Sequence, residues 1–365
     1  MLPAFGRGFS LIELMVAMTI GLLLLAGLFY IYFGAAQSSR LQGAVALMQT
    51  NTRYAFELMG MDIRMTGFTG SQDVTPSNIV NVAQTSPLCP LMDIFGNKNC
   101  DDGAGPLVGY ENTNPPNVCT TANTTSCYRT NTDSLTVVRV DTENKYPLDS
   151  DASLSYPTAS TTFTLDPWPA SNAPQAGEIF VVADYIHAAA FQVGAANDPE
   201  VSFGAGGSPG NSGSLGTFGP SINALSLYRL SGVSYYIGTN PVGEPALYRD
   251  KLGHNAATVN TTAEELVQGV EDMEITYGVD TSTDLATRIG DGSVDGYWTA
   301  TEVSNNTPNL LSAICTASVS ARWKCVLSVR IRLTLVSAQN EKVGTTGDQL
   351  MRKTFTNTIA IRNRL

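Results

Sequence analysis

GRGFSLIELMVAMTIGLLLLAGLFYIYFGAA, residues 6–36, places one carboxylate, Glu13, at the mouth of an otherwise apolar run. From Leu14 to Ala36 there are 23 residues without a formal charge. As a helix rising about 1.5 Å per residue they reach roughly 35 Å, enough to cross a hydrocarbon core of about 30 Å. A secretory signal is the ordinary alternative, with Arg7 as its charged start and Gly34, Ala35 and Ala36 before the cut. Such signals hold an apolar stretch of only about 7 to 15 residues and carry no acid near its start, so the tract reads as a retained membrane helix. A charge at bilayer depth costs about 2.5 to 3.5 kcal/mol at a helix centre and less near the end, so Glu13 needs a cationic partner.

Beyond the tract the apolar positions change their pattern. Leu41, Val45, Met48, Thr52, Ala55, Met59 and Ile63 recur at spacings of three and four, while Arg40, Gln42, Gln49, Arg53 and Glu57 fall elsewhere on the wheel. Gly67 is a candidate helix terminator. One helix from about Phe9 to Thr66 is expected, membrane-buried in its first half and packed on a sheet with its second. The remainder reads as strands and long loops. Strand candidates are SLTVVRV at 134–140, EIFVVAD at 178–184, AAFQV at 189–193, ALSLYRL at 224–230 and VSYYIG at 233–238. In CVLSVRIRLTLV, 325–336, Leu327, Val329, Ile331, Leu333 and Leu335 alternate with Ser328, Arg330, Arg332 and Thr334, the pattern of a half-buried strand. TFTNTIAIR, 354–362, is its expected hairpin partner across EKVGTTGDQ. Residues 194–223, with eight Gly and three Pro, and residues 101–133, rich in Asn, Thr and Pro, are expected to be long loops.

Composition supports one large β-rich head or two small ones, with 43% hydrophobic residues for a core. The net charge of −11 argues against general affinity for nucleic acid or anionic lipid. The charge is uneven: residues 322–365 hold nine Lys or Arg against two acids, a surplus of +7 that leaves −18 on residues 1–321. Six cysteines fall in three close pairs, Cys89 with Cys100, Cys119 with Cys127 and Cys315 with Cys325. In an exported domain such pairs read as disulfides closing short loops, and local pairing is the simplest of the connectivities six cysteines allow.

Enzyme signals are poor. GGSPG at 206–210 matches G-x-S-x-G in form, but the proline after Ser208 and the glycine-rich surroundings do not suit a strand-to-helix nucleophile elbow. His187 and His254 are the only histidines, in no metal-ligand spacing. DGSVDGYWTATE, 291–302, comes closer to known chemistry. Asp291, Ser293, Asp295, the Tyr297 carbonyl, Thr299 and Glu302 fall at positions one, three, five, seven, nine and twelve of a calcium loop, with Gly296 at six. Ser293 replaces the usual Asp or Asn, and no clear helix flanks the loop, so a solvated acidic turn is the favoured reading and Ca²⁺ the alternative. For the basic C-terminal strands, cross-strand pairing of Arg330 and Arg332 with Asp272 and Glu274 of VEDMEITY is favoured over an exposed basic stripe for DNA or an acidic subunit.

Gly8 followed by FSLIELMVAMTIGLLLLAGL resembles the class III signal of type IV pilins and type II secretion pseudopilins. The resemblance implies a leader at residues 1–8 cut after Gly8, N-methylation of Phe9, and retention of the apolar helix. It also implies a role for Glu13: pairing with the Phe9 amine of a neighbouring subunit, which sets the register of assembly. Unlike many major pilins, the tract has no proline; Gly21, Gly27 and Gly34 alone weaken the helix. The runs LVQGVEDMEITYGVD, DGYW, LYRLSGVSYYIG, PALYRD and AIRNRL are similar to PilW-type minor pilins. That resemblance implies an α+β pilin fold with a long N-terminal helix on an antiparallel sheet and long disulfide-pinned loops. Its segments would be the leader, a membrane or filament-core half at 9–36, an amphipathic half at 37–66 and a head at 67–365. It further implies a non-enzymatic subunit of the inner membrane, head in the periplasm, that is processed by a prepilin peptidase. Such a subunit joins other minor pilins, the major pilin, the assembly platform and a tip adhesin to initiate a pilus for twitching, attachment or DNA uptake. A J-type secretion pseudopilin and a DNA-uptake receptor are the rival readings.

Overall fold

The computed structural model describes residues 10–71, 75–78, 86–96, 105–118, 127–148, 162–184, 187–204, 207–212, 215, 225–256, 258–281, 292–307, 319–337 and 350–362. They form two compact units, Met1–Thr50 with Val336–Arg352 and Asn51–Leu335 with Lys353–Leu365.

A single 54-residue helix, α1 (Leu11–Arg64), occupies the expected span. In the first unit its apolar side chains from Leu11 to Phe33 are exposed, and it is long and apolar enough to cross a membrane. Thr19 satisfies its hydroxyl within the helix by donating to the Val16 carbonyl at 2.9 Å. Further along, Met48, Thr52, Ala55, Met59 and Ile63 are buried as their spacing predicts. Gly67 follows the last turn at φ 75°, a left-handed conformation that a Cβ would strain, and its N–H donates to Val138.

The second unit holds two sheets. Along the chain come β1 (Thr75–Asn78), α2 (Cys89–Met92), β2 (Leu107–Tyr110), β3 (Ser134–Pro147), β4 (Thr162–Thr164), β5 (Ile179–Ala183), β6 (His187–Asn197), β7 (Glu200–Phe203), β8 (Ser226–Thr239), β9 (Pro245–Asn255), β10 (Thr258–Gln268), β11 (Val270–Val279), β12 (Gly296–Trp298), α3 (Ala300–Asn305), α4 (Val319–Lys324), β13 (Val326–Val336) and β14 (Arg352–Ala360). The larger sheet runs β10-β9-β8-β5-β6-β7-β4, with β3 along the other edge of β8, β2 beyond β3, and β1 parallel to β6. β8 is its spine: Ser226–Arg229 pairs β5 and Val233–Thr239 pairs β9 on one side, while β3 lies along the other. The second sheet runs β12-β11-β13-β14, and its paired β13 and β14 match the expected hairpin.

Three expectations needed correction. The two strand candidates at 224–230 and 233–238 are one strand, β8, because Ser231 and Gly232 continue the pairing with β3 rather than turning. The stretch read as a loop at 194–223 contains β7, folded back on β6, and that at 101–133 contains β2. β9 and β10 arise from polar sequence that carries no alternation of the kind sought; their register comes from pairing on β8.

A core of Phe163, Phe180, Phe191, Leu227 and neighbours fills one face of the larger sheet. Near the smaller sheet, Tyr277 of β11 meets Trp323 of α4 edge-on at 4.8 Å, both fully buried. Gly109 of β2 makes that placement feasible, since a Cβ there would lie 1.9 Å from the Tyr277 hydroxyl. Asp133 ties the two sheets: its N–H donates to Met273, and its carboxylate accepts from the N–H groups of Asn112 and Ile275 at 2.9 and 2.8 Å. Burial raises the Asp133 pKa above the usual carboxylate value, outweighing those two hydrogen bonds.

Candidate functional site

Gly8 and Phe9, the expected processing residues, lie outside the described residues. Glu13 stands exposed in the first turn of α1, where the backbone bond from Leu14 to Ser10 opens the helix. A carboxylate at this helix end is favoured by the positive end of the dipole and is open to an incoming cation.

A second acid of α1 was not singled out by sequence reasoning. Asp62 is only 3% exposed, and its carboxylate accepts from Arg139 Nε of β3 at 2.8 Å and from the Tyr235 hydroxyl of β8 at 2.6 Å. Burial and the Asp62 carboxylate push the Tyr235 pKa well above its ordinary value, so the phenol stays a donor. Arg249 and Lys251 of β9 both reach Glu264 of β10, at 2.9 and 3.0 Å. Asp62, Arg139, Arg249 and Lys251 line a cleft of about 290 Å³ between the end of α1 and the strands β3, β8 and β9. The signal for Asp62 was in the spacing. Alternating steps of four and three from Leu41 pass through Val45, Met48, Thr52, Ala55 and Met59 and land on Asp62 rather than Ile63. An acid on a buried stripe needs a partner from the surface it packs on.

The basic strands divide between the two readings. Glu274 lies opposite Arg332 in the β11–β13 ladder, and the two side chains pair directly, both half exposed. Arg330 instead covers the Tyr297 ring at 3.4 Å and donates to Thr358 at 3.3 Å. Asp272 sits opposite Thr334.

Of the acidic loop, Asp291 lies outside the described residues. Asp295 accepts from the N–H and hydroxyl of Thr281 at 2.7 and 2.8 Å, and Tyr297 takes its place in β12 opposite Gly278. Thr299 and Glu302 form a reciprocal capping box for α3: each side chain accepts from the other's backbone N–H. A helix therefore does follow the loop, contrary to expectation, and its cap engages the side chains at two of the six candidate ligand positions. Among the described residues no group of three or more His, Cys, Asp or Glu side chains is placed to hold a metal. Cys89, Cys127 and Cys325 are each disulfide-bonded, while Cys100, Cys119 and Cys315 lie outside the described residues.

Two family models match the chain. Residues 6–29 match the prokaryotic N-terminal methylation motif, and residues 234–363 match type IV pilus-assembly protein W. Over these two stretches the chain is similar to type IV pilin-like minor pilins. No curated protein and no solved structure matches it. The methylation motif covers Gly8, Phe9 and Glu13, and the pilus-assembly match runs from the middle of β8 through the whole second sheet. Both families are structural components of pili rather than enzymes. The methylation motif and the long apolar helix support anchoring in a membrane, and both matched families are components of the pilus.

Proposed function

We propose that this minor pilin is cleaved after Gly8, methylated on Phe9, held in the inner membrane with its head in the periplasm, and assembled with other minor pilins into a complex that initiates the pilus. The observation that carries the reading is the continuity of α1. One helix joins an exposed apolar half with Glu13 at its start to a half whose buried stripe ends in the Asp62 clamp. Such a helix both enters a bundle of like helices and transmits its register to a head fixed on the other half. A head of this size is suited to a tip, where it does not crowd a packed shaft. Twitching, attachment and DNA uptake are the activities such a pilus would serve. The pairing of Arg332 with Glu274 speaks against a free basic stripe for DNA on the second sheet.

The test is Glu13→Ala in a strain lacking the native copy, scored for surface pili, twitching and protein secretion. Processing and insertion should persist, because the tract only becomes less polar, while incorporation into sheared pili falls. Incorporation at the wild-type level would refute the register role, and loss of secretion with intact pili would transfer the protein to a secretion system.

A further inference from the structure

β14 is an edge strand. The Ile361 N–H donates to the Leu327 carbonyl, and the Thr334–Thr354 and Arg330–Thr358 side-chain bonds share that antiparallel register. Odd-numbered residues of β14 therefore face β13, and Thr354, Thr356, Thr358 and Ala360 turn their backbone N–H and C=O groups outward. None of these outward groups has a partner among the described residues. The strand contains no proline, glycine or acid, and its side chains at these four positions are exposed. It lacks the usual devices that discourage edge pairing, apart from the cations Arg352 and Lys353 at its start.

A second open edge lies on β10. Its Val259 N–H donates outward to Ser208, and the Gln268 carbonyl accepts from Asn51, so the edge is covered at both ends. Between them Thr261, Ala263 and Glu265 point outward by the same alternation, with 262–265 exposed and two acids, Glu264 and Glu265, toward the C-terminal end. A basic-ended edge and an acidic-ended edge thus occur on one chain.

We propose that β14 of one copy adds to β10 of a second copy in an antiparallel sense. Thr354, Thr356 and Thr358 then lie opposite Glu265, Ala263 and Thr261, and every outward N–H and C=O of those six residues gains a partner. Antiparallel pairing brings Glu264 and Glu265 diagonal to Lys353 and Arg352. Symmetric pairing of two β14 strands would bring only cations to the contact, which is why the acidic edge is the complement. The contact is heterologous, so it leaves one edge of each kind free and propagates. It does not depend on the pilus reading.

The experiment uses the full-length protein in membranes, coexpressed in two differently tagged versions, Thr356→Cys and Ala263→Cys. Paired residues of this kind have Cα atoms about 5.5 Å apart, within disulfide range. A mixed cross-linked dimer is expected on oxidation. Thr358→Pro removes an outward N–H while keeping every backbone bond to β13, losing only the exposed Arg330 side-chain bond, and should lower the yield about tenfold. Lys353→Glu should also lower the yield, and Glu264→Lys in the other copy, the residue diagonal to it, should restore it. No mixed dimer while both thiols react with maleimide, a yield indifferent to Thr358→Pro, or dimers from Thr356→Cys alone would each overturn the proposal.

Discussion

Asp62→Ala removes the acceptor shared by Arg139 and Tyr235. What it leaves behind sets the magnitude: a guanidinium whose side chain is 15% exposed and a phenol in a fully buried residue, each without its acceptor. Breaking a buried ion pair from one side costs about 3 to 5 kcal/mol. For a chain of 365 residues, about 4 kcal/mol corresponds to a fall in melting temperature of roughly 5 °C. The assay is urea unfolding of the full-length protein in detergent, followed by tryptophan fluorescence, because Trp323 is fully buried in the second sheet's core. Arg139→Met alone should destabilise similarly, since it strands the Asp62 carboxylate in the interior. The double variant Asp62→Leu with Arg139→Met should recover much of the loss, since neither charge is then buried without its partner. A loss under about 1 kcal/mol for Asp62→Ala, or additive losses in the double variant, would show that α1 is held by its apolar stripe alone.

Asp133, Asp250 and Asp272 all have raised pKa values, chiefly through burial. A carboxyl raised in the folded state adds stability below its unfolded value and loses it as pH climbs through the folded one. Their contribution should therefore increase as pH falls through the raised values toward the ordinary carboxylate value, and Asp133→Asn should flatten that slope in a pH series of unfolding curves; an unchanged slope would count against the burial argument. The opposite sign applies to Glu264, lowered by its bonds from Arg249 and Lys251, whose contribution disappears as pH falls through its depressed value. Because Thr299 and Glu302 serve the α3 cap, 10 mM Ca²⁺, about tenfold above the weak end of extracellular sites, should leave the melting temperature unmoved. A rise that Asp291→Ala abolishes would establish the calcium loop instead. Non-reducing peptide mapping should find Cys89–Cys100, Cys119–Cys127 and Cys315–Cys325, and a bridge joining Cys89 to Cys325 would refute local pairing.

What the sequence revealed and what it hid follow from where each element's information lies. α1 was legible to within two residues at each end because its periodicity, its charge-free tract and the terminating Gly67 are all local. β13 was legible for the same reason: five alternating apolar residues bury one face whatever it packs against. β9 and β10 were not, because AEELVQ and KLGHN acquire strand geometry from neighbours already paired to β8, and their acids and cations balance each other across the ladder rather than along the chain. β8 was split in the reading because Ser231 and Gly232 resemble a turn. The structure gives Gly232 a different reason: a Cβ there would lie 2.2 Å from the Leu91 carbonyl of α2.

The same distinction between local and borrowed information separates two of the acids of α1, Glu13 and Asp62. Glu13 lies exposed at the start of the helix, where the proposed function gives it a partner in a neighbouring subunit. Asp62 sits on the buried stripe and is fully engaged by β3 and β8. Substitution of the first should change assembly while leaving the fold intact, whereas substitution of the second should change the fold's stability and affect assembly only through it. On the proposed reading, the recognition charge lies at one end of a single helix and the anchoring charge near the other. A helix break between them, for instance Val45→Pro, should leave membrane insertion and the unfolding curve of the head nearly as they are. It should nonetheless reduce incorporation into pili, because a proline inside a helix kinks it and costs about 3 kcal/mol of local helix stability. Normal incorporation of that variant would show that the register set at Glu13 need not reach the head along a continuous helix.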